Sequence, residues 1–242
     1  MSEKSDRRAF LKRLGVAGAT SVVSIPPREA DAAAAQAQPA AQATAARPVP
    51  VPHAYAFFTP PEAAFVEAAV NQFIPADDLT PNGTDCGVAV FMDRQFGSAW
   101  GAGDRMYMQG PWQKGKPTQG YQLPLTPAEL IRNGIAAANA YCRATNQRDF
   151  DRLTHDQQIA VLQGFEQGKI MLEDVPAGEF FTLLLNSTME GFFADPMYGG
   201  NRGKVAWKMI GFPGVIAIHS TNIRTFRNRR YEAPATSIED LS

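Results

Sequence analysis

Residues 176–194, PAGEFFTLLLNSTMEGFFA, form the stretch that decides the fold. Apolar side chains recur around nearly all of its helical circumference, with few polar breaks: Phe180, Phe181, Leu183, Leu184, Leu185, Met189, Phe192 and Phe193. A helix of this kind is buried in its own domain or against a partner. Asp195 and Pro196 follow it, and the residue before a proline is disfavoured in the helical region. We therefore predict a buried helix over residues 176–194 that Asp195-Pro196 ends.

Three other segments begin with a helix-capping pattern, in which a threonine precedes Glu or Gln by three residues. The threonine oxygen and the Glu or Gln side chain can each satisfy a backbone N–H that the helix leaves unpaired. A proline at the first helical position costs no hydrogen bond. The pairs are Thr59 with Glu62, Thr126 with Glu129, and Thr154 with Gln157, and the prolines are Pro60 and Pro127. We expect a helix to start at each site.

The spacing of apolar residues behind the first two caps predicts amphipathic helices. These residues are Phe65, Val66, Ala69, Val70 and Phe73 in one segment, and Leu130, Ile131, Ile135, Ala138, Tyr141 and Cys142 in the other. Strand patterns are scarce, and the best of them, residues 215–218, is too short to define a sheet. The fold class is therefore mainly α, a single helical domain with long irregular Gly- and Pro-rich connections around residues 97–124 and 195–214.

The N-terminus is typical of a twin-arginine export signal. Arg7 and Arg8 are followed by Phe10, Leu11 and Lys12, then by a run of mostly small and apolar residues. A small-residue cleavage candidate stands at residues 30–32. The run is shorter than the roughly 20 apolar residues of a membrane span. Residues 1–32 are therefore predicted to export a folded protein to the periplasm, with an amphipathic start or a chance arginine pair as the alternative.

Residues 33–52 are almost entirely Ala, Gln and Pro, a composition typical of a disordered linker. The remaining residues, 53–242, are enough for one helical domain with its own core. Removing residues 1–32 takes away six Lys/Arg and four Asp/Glu, which changes the formal net charge from −1 to −3. This mild negative charge argues against a generally basic nucleic-acid binder.

The two cysteines, Cys86 and Cys142, belong to a chain that is predicted to enter an oxidising compartment. This setting favours a disulfide between them. Two buried thiols are the alternative.

Motifs that would carry chemistry are missing from the sequence. His53, His155 and His219 lack a second ligand at metal spacing. The cysteines form neither a C-x-x-C pair nor a haem-attachment motif. The glycines of residues 199–204 match a phosphate loop incompletely, and no G-x-S-x-G is present. We therefore expect this chain to bind no cofactor and no metal and to have no catalytic residues.

Residues 190–214 instead have the composition of a contact surface. Paired glycines at 199–200 permit a tight turn after the apolar helix. Rigid aromatic residues beside an arginine are typical of interface cores. The candidate interface residues are Asp195, Tyr198, Arg202, Trp207 and Phe212. The alternative is that these rings complete the core of their own domain, and both roles are compatible.

Residues 202–230 contain seven basic residues and no Asp or Glu: Arg202, Lys204, Lys208, Arg224, Arg227, Arg229 and Arg230. Such a segment could meet an acidic partner surface. The alternative is a solvated face that pairs with the acidic stretch at residues 149–195.

These residues together resemble the gluconate 2-dehydrogenase subunit 3 family over roughly residues 55–220. The resemblance rests on four features besides the leader. They are the helix start at Thr59-Pro60 leading to Phe73-Ile74-Pro75, Cys86-Gly87-Val88 with Phe91-Met92-Asp93-Arg94-Gln95, Gly191-Phe192-Phe193-Ala194-Asp195-Pro196 with Tyr198-Gly199-Gly200, and Trp207 with Gly211-Phe212-Pro213-Gly214.

The resemblance implies a small subunit that holds no cofactor. In that family it is thought to bind a large flavoprotein similar to glucose-methanol-choline oxidoreductases, which carries FAD and lacks a leader. The small subunit would then escort this partner through the twin-arginine export machinery and assist its maturation. A third subunit, a cytochrome c with haem, commonly receives the electrons. The complex would oxidise a sugar, polyol or sugar acid at the outer face of the cytoplasmic membrane.

A function of a different class is a stand-alone periplasmic binding or enzymatic domain. Its site would be built from scattered residues such as Asp93, Arg94, Tyr107, Trp112 and His155. This hypothesis predicts a monomer with a ligand pocket.

Overall fold

The structure is a computed structural model, and it describes residues 54–113, 115–116, 119–216 and 219–241. All of them belong to one compact unit, residues 46–242. The predicted export signal with Arg7, Arg8, Phe10 and Leu11, the linker at residues 33–52, and His53 lie outside the described residues. Those assignments therefore stay predictions.

The described part of the chain is mainly α-helical, as predicted. Its α-helices are α1 (Pro60–Phe73), α2 (Val88–Phe96), α3 (Pro127–Asn146), α4 (His155–Glu166), α5 (Ala177–Phe193), α6 (Val205–Ile210) and α7 (Ser220–Thr225). Short 3-10 helices span Phe150–Arg152, Pro196–Tyr198, Arg202–Lys204 and Ile238–Leu241. Within the described ranges, β structure is limited to an isolated bridge between Gly214 and Thr236.

Helix α5 is the centre of the fold. It packs against α1, α2, α3, α4 and α6. Phe180 of α5 is fully buried, and its ring centroid lies 6.1 Å from that of Phe65 and 6.0 Å from that of Phe165. A Cβ added at Gly134 of α3 would lie only 2.0 Å from Cδ2 of Phe180. The all-round apolar pattern of α5 is thus explained by neighbours on several sides, and glycine lets α3 approach its ring.

The predicted helix starts are confirmed. Helices α1, α3 and α4 begin directly after Thr59, Thr126 and Thr154. The backbone N–H of Thr126 donates to the Glu129 carboxylate over 2.7 Å, and the N–H of Glu129 donates to Oγ1 of Thr126 over 3.2 Å. These hydrogen bonds form within one turn, so the sequence alone predicts them well.

The backbone of residues 56–58, which precedes α1, is held by three hydrogen bonds to one buried carboxylate. Asp93 on α2 is 2% exposed and accepts the backbone N–H groups of Ala56, Phe57 and Phe58, each over 2.9 Å. The guanidinium of Arg132 lies 4.0 Å from the Phe57 ring centroid and donates to the Phe57 carbonyl over 2.6 Å. Because a buried carboxylate needs such partners, residues 56–58 are held firmly against α2 and α3.

The predicted disulfide between Cys86 and Cys142 is wrong. The two cysteines are buried, are not bonded to each other, and lie far from disulfide distance. Cys86 precedes α2 and its thiol donates to the Pro81 carbonyl over 3.5 Å, whereas Cys142 lies near the C-terminal end of α3. Burial raises the pKa of the Cys142 thiol to about 11. Both residues thus behave as small apolar core residues, the alternative that the sequence left open.

Candidate partner-binding surface

The turn after α5 is held by Asp195 and two glycines. The Asp195 carboxylate accepts the N–H of Met197 over 3.1 Å and the N–H of Ile238 over 2.9 Å. Gly199 has a φ of 101°, and a Cβ at Gly200 would lie 2.0 Å from the carbonyl oxygen of Gly191. A left-handed backbone and this close approach both favour glycine. The predicted tight turn is confirmed, and it packs directly on α5.

Asn201 is the positioning residue that the sequence analysis missed. It is fully buried and has a φ of 44°. Its side-chain Nδ2 donates to the Ala194 carbonyl over 3.0 Å, and its side-chain Oδ1 accepts the N–H of Ala206 over 2.9 Å. One side chain therefore joins the end of α5 to the start of α6. Its signal in the sequence is an asparagine directly after a glycine pair, a position that tolerates the left-handed region.

The aromatic residues of this region divide between core and surface. Trp207 is 5% exposed, and its indole Nε1–H donates to the Phe193 carbonyl over 2.8 Å. Phe212 is 44% exposed and packs edge-on against Trp207, with ring centroids 5.2 Å apart. Tyr198 is 45% exposed. Trp207 thus completes the core of its own domain, while Phe212 and Tyr198 are presented to solvent.

The exposed apolar side chains of this region define what we call the 197–215 surface. Its members are Met197, Tyr198, Ile210, Phe212 and Val215, each at least 37% exposed. Arg94 supports it from α2 by donating to the Met197 carbonyl over 3.2 Å. Arg202 is half-buried, and its backbone N–H donates to the Cys86 carbonyl over 2.9 Å. The surface is therefore carried by a backbone that is hydrogen-bonded to α2 and α5.

The C-terminal segment, residues 234–241, fastens this region from outside. The N–H of Val215 donates to the Thr236 carbonyl over 2.8 Å, and the N–H of Thr236 donates to the Pro213 carbonyl over 3.0 Å. Lys204 donates to the Ala235 carbonyl over 3.1 Å and forms a hydrogen-bonded ion pair with Asp240. The Lys204 ammonium, together with hydrogen bonds from Ser237, lowers the pKa of Asp240 to about 2. No sequence signal pointed to this segment.

The basic segment at residues 202–230 does not pair with the acidic stretch at residues 149–195 in the described part of the chain. Lys204 pairs with Asp240, and Arg230 pairs with Glu232. Arg224, Arg227 and Arg229 are exposed. Among the described residues, direct ion pairs with the acidic stretch are therefore not found, whereas the exposure of these arginines agrees with a solvated face.

The residues of the alternative binding-site hypothesis occupy different environments. Asp93 is buried under the 56–58 backbone, Arg94 is directed to Met197, and His155 is an exposed residue at the start of α4. Tyr107 and Trp112 line a shallow cleft of about 190 Å³ together with Met106, Gln109, Pro111, Tyr121 and Gln122. Two of the five residues thus share a cleft, and the other three lie elsewhere.

Among the residues that the structure describes, no group of three or more His, Cys, Asp or Glu side chains could hold a metal ion. Within the same ranges, no helix combines the length and the apolar character that crossing a bilayer requires.

The described residues form a helical domain with exposed apolar side chains on the segment that follows the central helix. Residues 60–214 match the model of the family described as "Gluconate 2-dehydrogenase subunit 3". This match covers more than half of the chain, and the chain therefore belongs to the gluconate 2-dehydrogenase subunit 3 family. Comparison with curated proteins and with solved structures returned no significant match.

Proposed function

We propose that this chain is the non-catalytic small subunit of a periplasmic, flavin-dependent dehydrogenase complex. It binds a large flavoprotein of the glucose-methanol-choline type and escorts it through twin-arginine export. FAD belongs to that partner, and a cytochrome c subunit with haem accepts the electrons. The complex oxidises a sugar, polyol or sugar acid. The observation that carries this proposal is the family match over residues 60–214, because the family name describes one subunit of a multi-subunit enzyme.

The 197–215 surface supports a role in binding a partner. Phe212 and Tyr198 are exposed rings on a backbone whose position is fixed by Asn201 and Trp207. Rigid aromatic side chains lose little conformational freedom on binding and are enriched among the residues that dominate interface energies. The surface also lies at the end of the family match, which extends to Gly214. The flavoprotein would therefore dock on Tyr198 and Phe212.

The predicted leader supports a role in export. Twin-arginine signals address proteins that cross the membrane already folded. A flavoprotein that acquires FAD in the cytoplasm and lacks a leader needs a bound escort to reach the periplasm. In this account Arg7 and Arg8 address both subunits at once.

The export step is tested with the double variant Arg7→Lys with Arg8→Lys. Its matched control is Arg13→Lys with Arg28→Lys, which makes the same two changes elsewhere in the leader. We expect the first variant to leave both subunits and the dehydrogenase activity in the cytoplasm, and the control to be exported normally. Normal periplasmic activity in the first variant would overturn the escort proposal.

A further inference from the structure

Residues 219–231 form a strongly basic part of the described surface. Four exposed arginines, Arg224, Arg227, Arg229 and Arg230, lie within seven residues. No Asp or Glu occurs anywhere in residues 202–230. The ion pair of Arg230 with Glu232 joins side chains that are 85% and 71% exposed, so solvent screens it strongly. The segment therefore carries a local positive charge that the described residues of its domain do not neutralise.

A local turn follows the short helix within this segment. The N–H of Arg229 donates to the Phe226 carbonyl over 2.9 Å, and Asn228 has a φ of 61°. The Phe226 and Tyr231 rings pack edge-on with centroids 4.9 Å apart, and the Asn222 side chain donates to the Tyr231 hydroxyl over 3.2 Å. Ile223, beside Arg224, is 70% exposed. The result is a small basic turn with one exposed aliphatic side chain at its edge.

We propose that residues 219–231 bind directly to the anionic phospholipid headgroups of a membrane surface. The guanidinium group matches phosphate oxygens in a bidentate geometry, and all four charges of the turn are arginines. Clusters of Lys or Arg with an apolar side chain are attracted to anionic lipid surfaces, and Ile223 can enter the headgroup region. This inference goes beyond the proposed function and does not depend on it.

Two observations favour a lipid surface over an acidic protein. Helix α7 has no buried residue, so the segment lacks the packed support that positions the anchors of a specific protein interface. The segment also begins after residue 214, where the family match ends, so the family pattern does not include it. A surface that is recognised through charge density requires little shape complementarity.

The negative net charge of the domain means that the whole domain is not attracted to an anionic surface. The chain without its predicted leader carries a formal net charge of −3, which as a whole is repelled by an anionic surface. Binding that requires anionic lipid and is lost at high salt would therefore come from a local basic region. Binding should also weaken steeply as salt is added, because salt screens exposed charges.

The test is a vesicle flotation assay with the chain beginning at Ala46, the compact unit that has its own core. This excludes the basic leader. The vesicles are phosphatidylcholine with and without phosphatidylglycerol, at low and high salt. The variant is Arg224→Gln, Arg227→Gln, Arg229→Gln and Arg230→Gln together. The control replaces the exposed residues Lys116, Arg148, Arg152 and Lys169 with Gln, which removes the same number of charges elsewhere.

We expect the unmodified chain and the control to bind only vesicles that contain phosphatidylglycerol, and only at low salt. The arginine variant should bind at least roughly tenfold more weakly. Equal losses in the variant and the control would overturn the inference, as would no binding of the unmodified chain at low salt. If the chain ignores vesicles but the arginine variant no longer co-purifies with the flavoprotein, the target is an acidic protein surface and the inference is wrong. Because the flotation assay contains no flavoprotein, its outcome leaves the proposed function untouched.

Discussion

The indole Nε1–H of Trp207 donates to the backbone carbonyl of Phe193 over 2.8 Å, which joins α6 to the last residue of the central helix. The Phe193 carbonyl is one of the groups that a helix C-terminus leaves without an intrahelical partner. Trp207 therefore satisfies a helix end and at the same time provides the ring against which the exposed Phe212 packs. The buried ring and the exposed ring have different roles, and substitutions should separate them.

The variant Trp207→Phe keeps an aromatic ring but removes the Nε1–H. The Phe193 carbonyl then loses its partner, which should lower the free energy of unfolding by about 1–2 kcal/mol. Denaturant unfolding followed by circular dichroism measures this change. An unchanged unfolding midpoint would contradict a role for this hydrogen bond in stability.

The variants Phe212→Ser and Tyr198→Ser should weaken binding to the flavoprotein by roughly tenfold or more, because each removes an exposed aromatic contact. Their effect on the free energy of unfolding should stay within about 1 kcal/mol, since both rings are about half exposed. The control is Tyr107→Ser, which removes a 79% exposed ring from the cleft that Tyr107 and Trp112 line, outside the 197–215 surface. Calorimetric titration with the purified partner measures the affinities. An equal loss of affinity in all three variants would contradict the proposal that the flavoprotein binds at the 197–215 surface.

The contact between α3 and α5 can be tested with two glycines. A Cβ at Gly134 would lie 2.0 Å from the Phe180 ring, so Gly134→Ala should lower the free energy of unfolding by about 1–3 kcal/mol. A Cβ at Gly178 of α5 has nothing within 4 Å. Gly178→Ala should therefore be neutral or stabilise by up to about 1 kcal/mol. Thermal unfolding of both variants is the measurement. Similar losses of stability in both would contradict the explanation that the close approach of α3 to the Phe180 ring requires glycine.

The buried carboxylate of Asp93 is expected to be structural. Asp93→Asn replaces one acceptor oxygen with a donor beside the N–H groups of Ala56, Phe57 and Phe58, which should cost about 3 kcal/mol. The exposed Asp78→Asn should change stability by less than about 0.5 kcal/mol. Hydrogen exchange at residues 56–58 should speed up in the first variant alone. Unchanged exchange there would contradict the anchoring of the chain entry by Asp93.

The ion pair between Lys204 and Asp240 predicts a pH dependence for the C-terminal segment. The pKa of Asp240 is about 2 in the folded state, below its ordinary value of 3.8. Its contribution is therefore complete above about pH 4 and is lost as the pH falls through the folded-state pKa. Hydrogen exchange at Ser237 and Ile238, corrected for the intrinsic pH effect, should accelerate over this window. Lys204→Met should bring the pKa of Asp240 back toward its ordinary value, whereas Arg230→Gln, at another exposed ion pair, should not.

The sequence predicted the parts of the fold that depend on short-range chemistry. The starts of α1, α3 and α4 follow from capping residues within one turn, and the end of α5 at Phe193 follows from Asp195-Pro196. The sequence did not predict α2, because this helix begins after Gly87, which has a φ of 82° and provides no side-chain cap. It also did not predict α6 and α7, which are only six residues long.

The rest could not be predicted because it depends on contacts between residues far apart in the chain. The buried role of Trp207 requires the Phe193 carbonyl, and that of Asn201 requires both Ala194 and Ala206. The pairing of Lys204 with Asp240 spans 36 residues. The disulfide between Cys86 and Cys142 was predicted from the expected oxidising compartment and from the presence of two cysteines. Neither property carries information on the distance between them. The sequence proposed residues 190–214 as a contact surface but could not tell which of their aromatic side chains are buried, as Trp207 is, and which are exposed, as Tyr198 and Phe212 are.

The measurement that tests the central claim most directly is purification of the tagged chain from its native periplasmic or membrane fraction, followed by identification of its companions and a visible spectrum. We predict a companion of flavoprotein size, the absorption of a bound flavin and dye-linked dehydrogenase activity, with all three reduced in the Phe212→Ser variant. A colourless chain without a companion, from cells that express a neighbouring flavoprotein, would contradict the account.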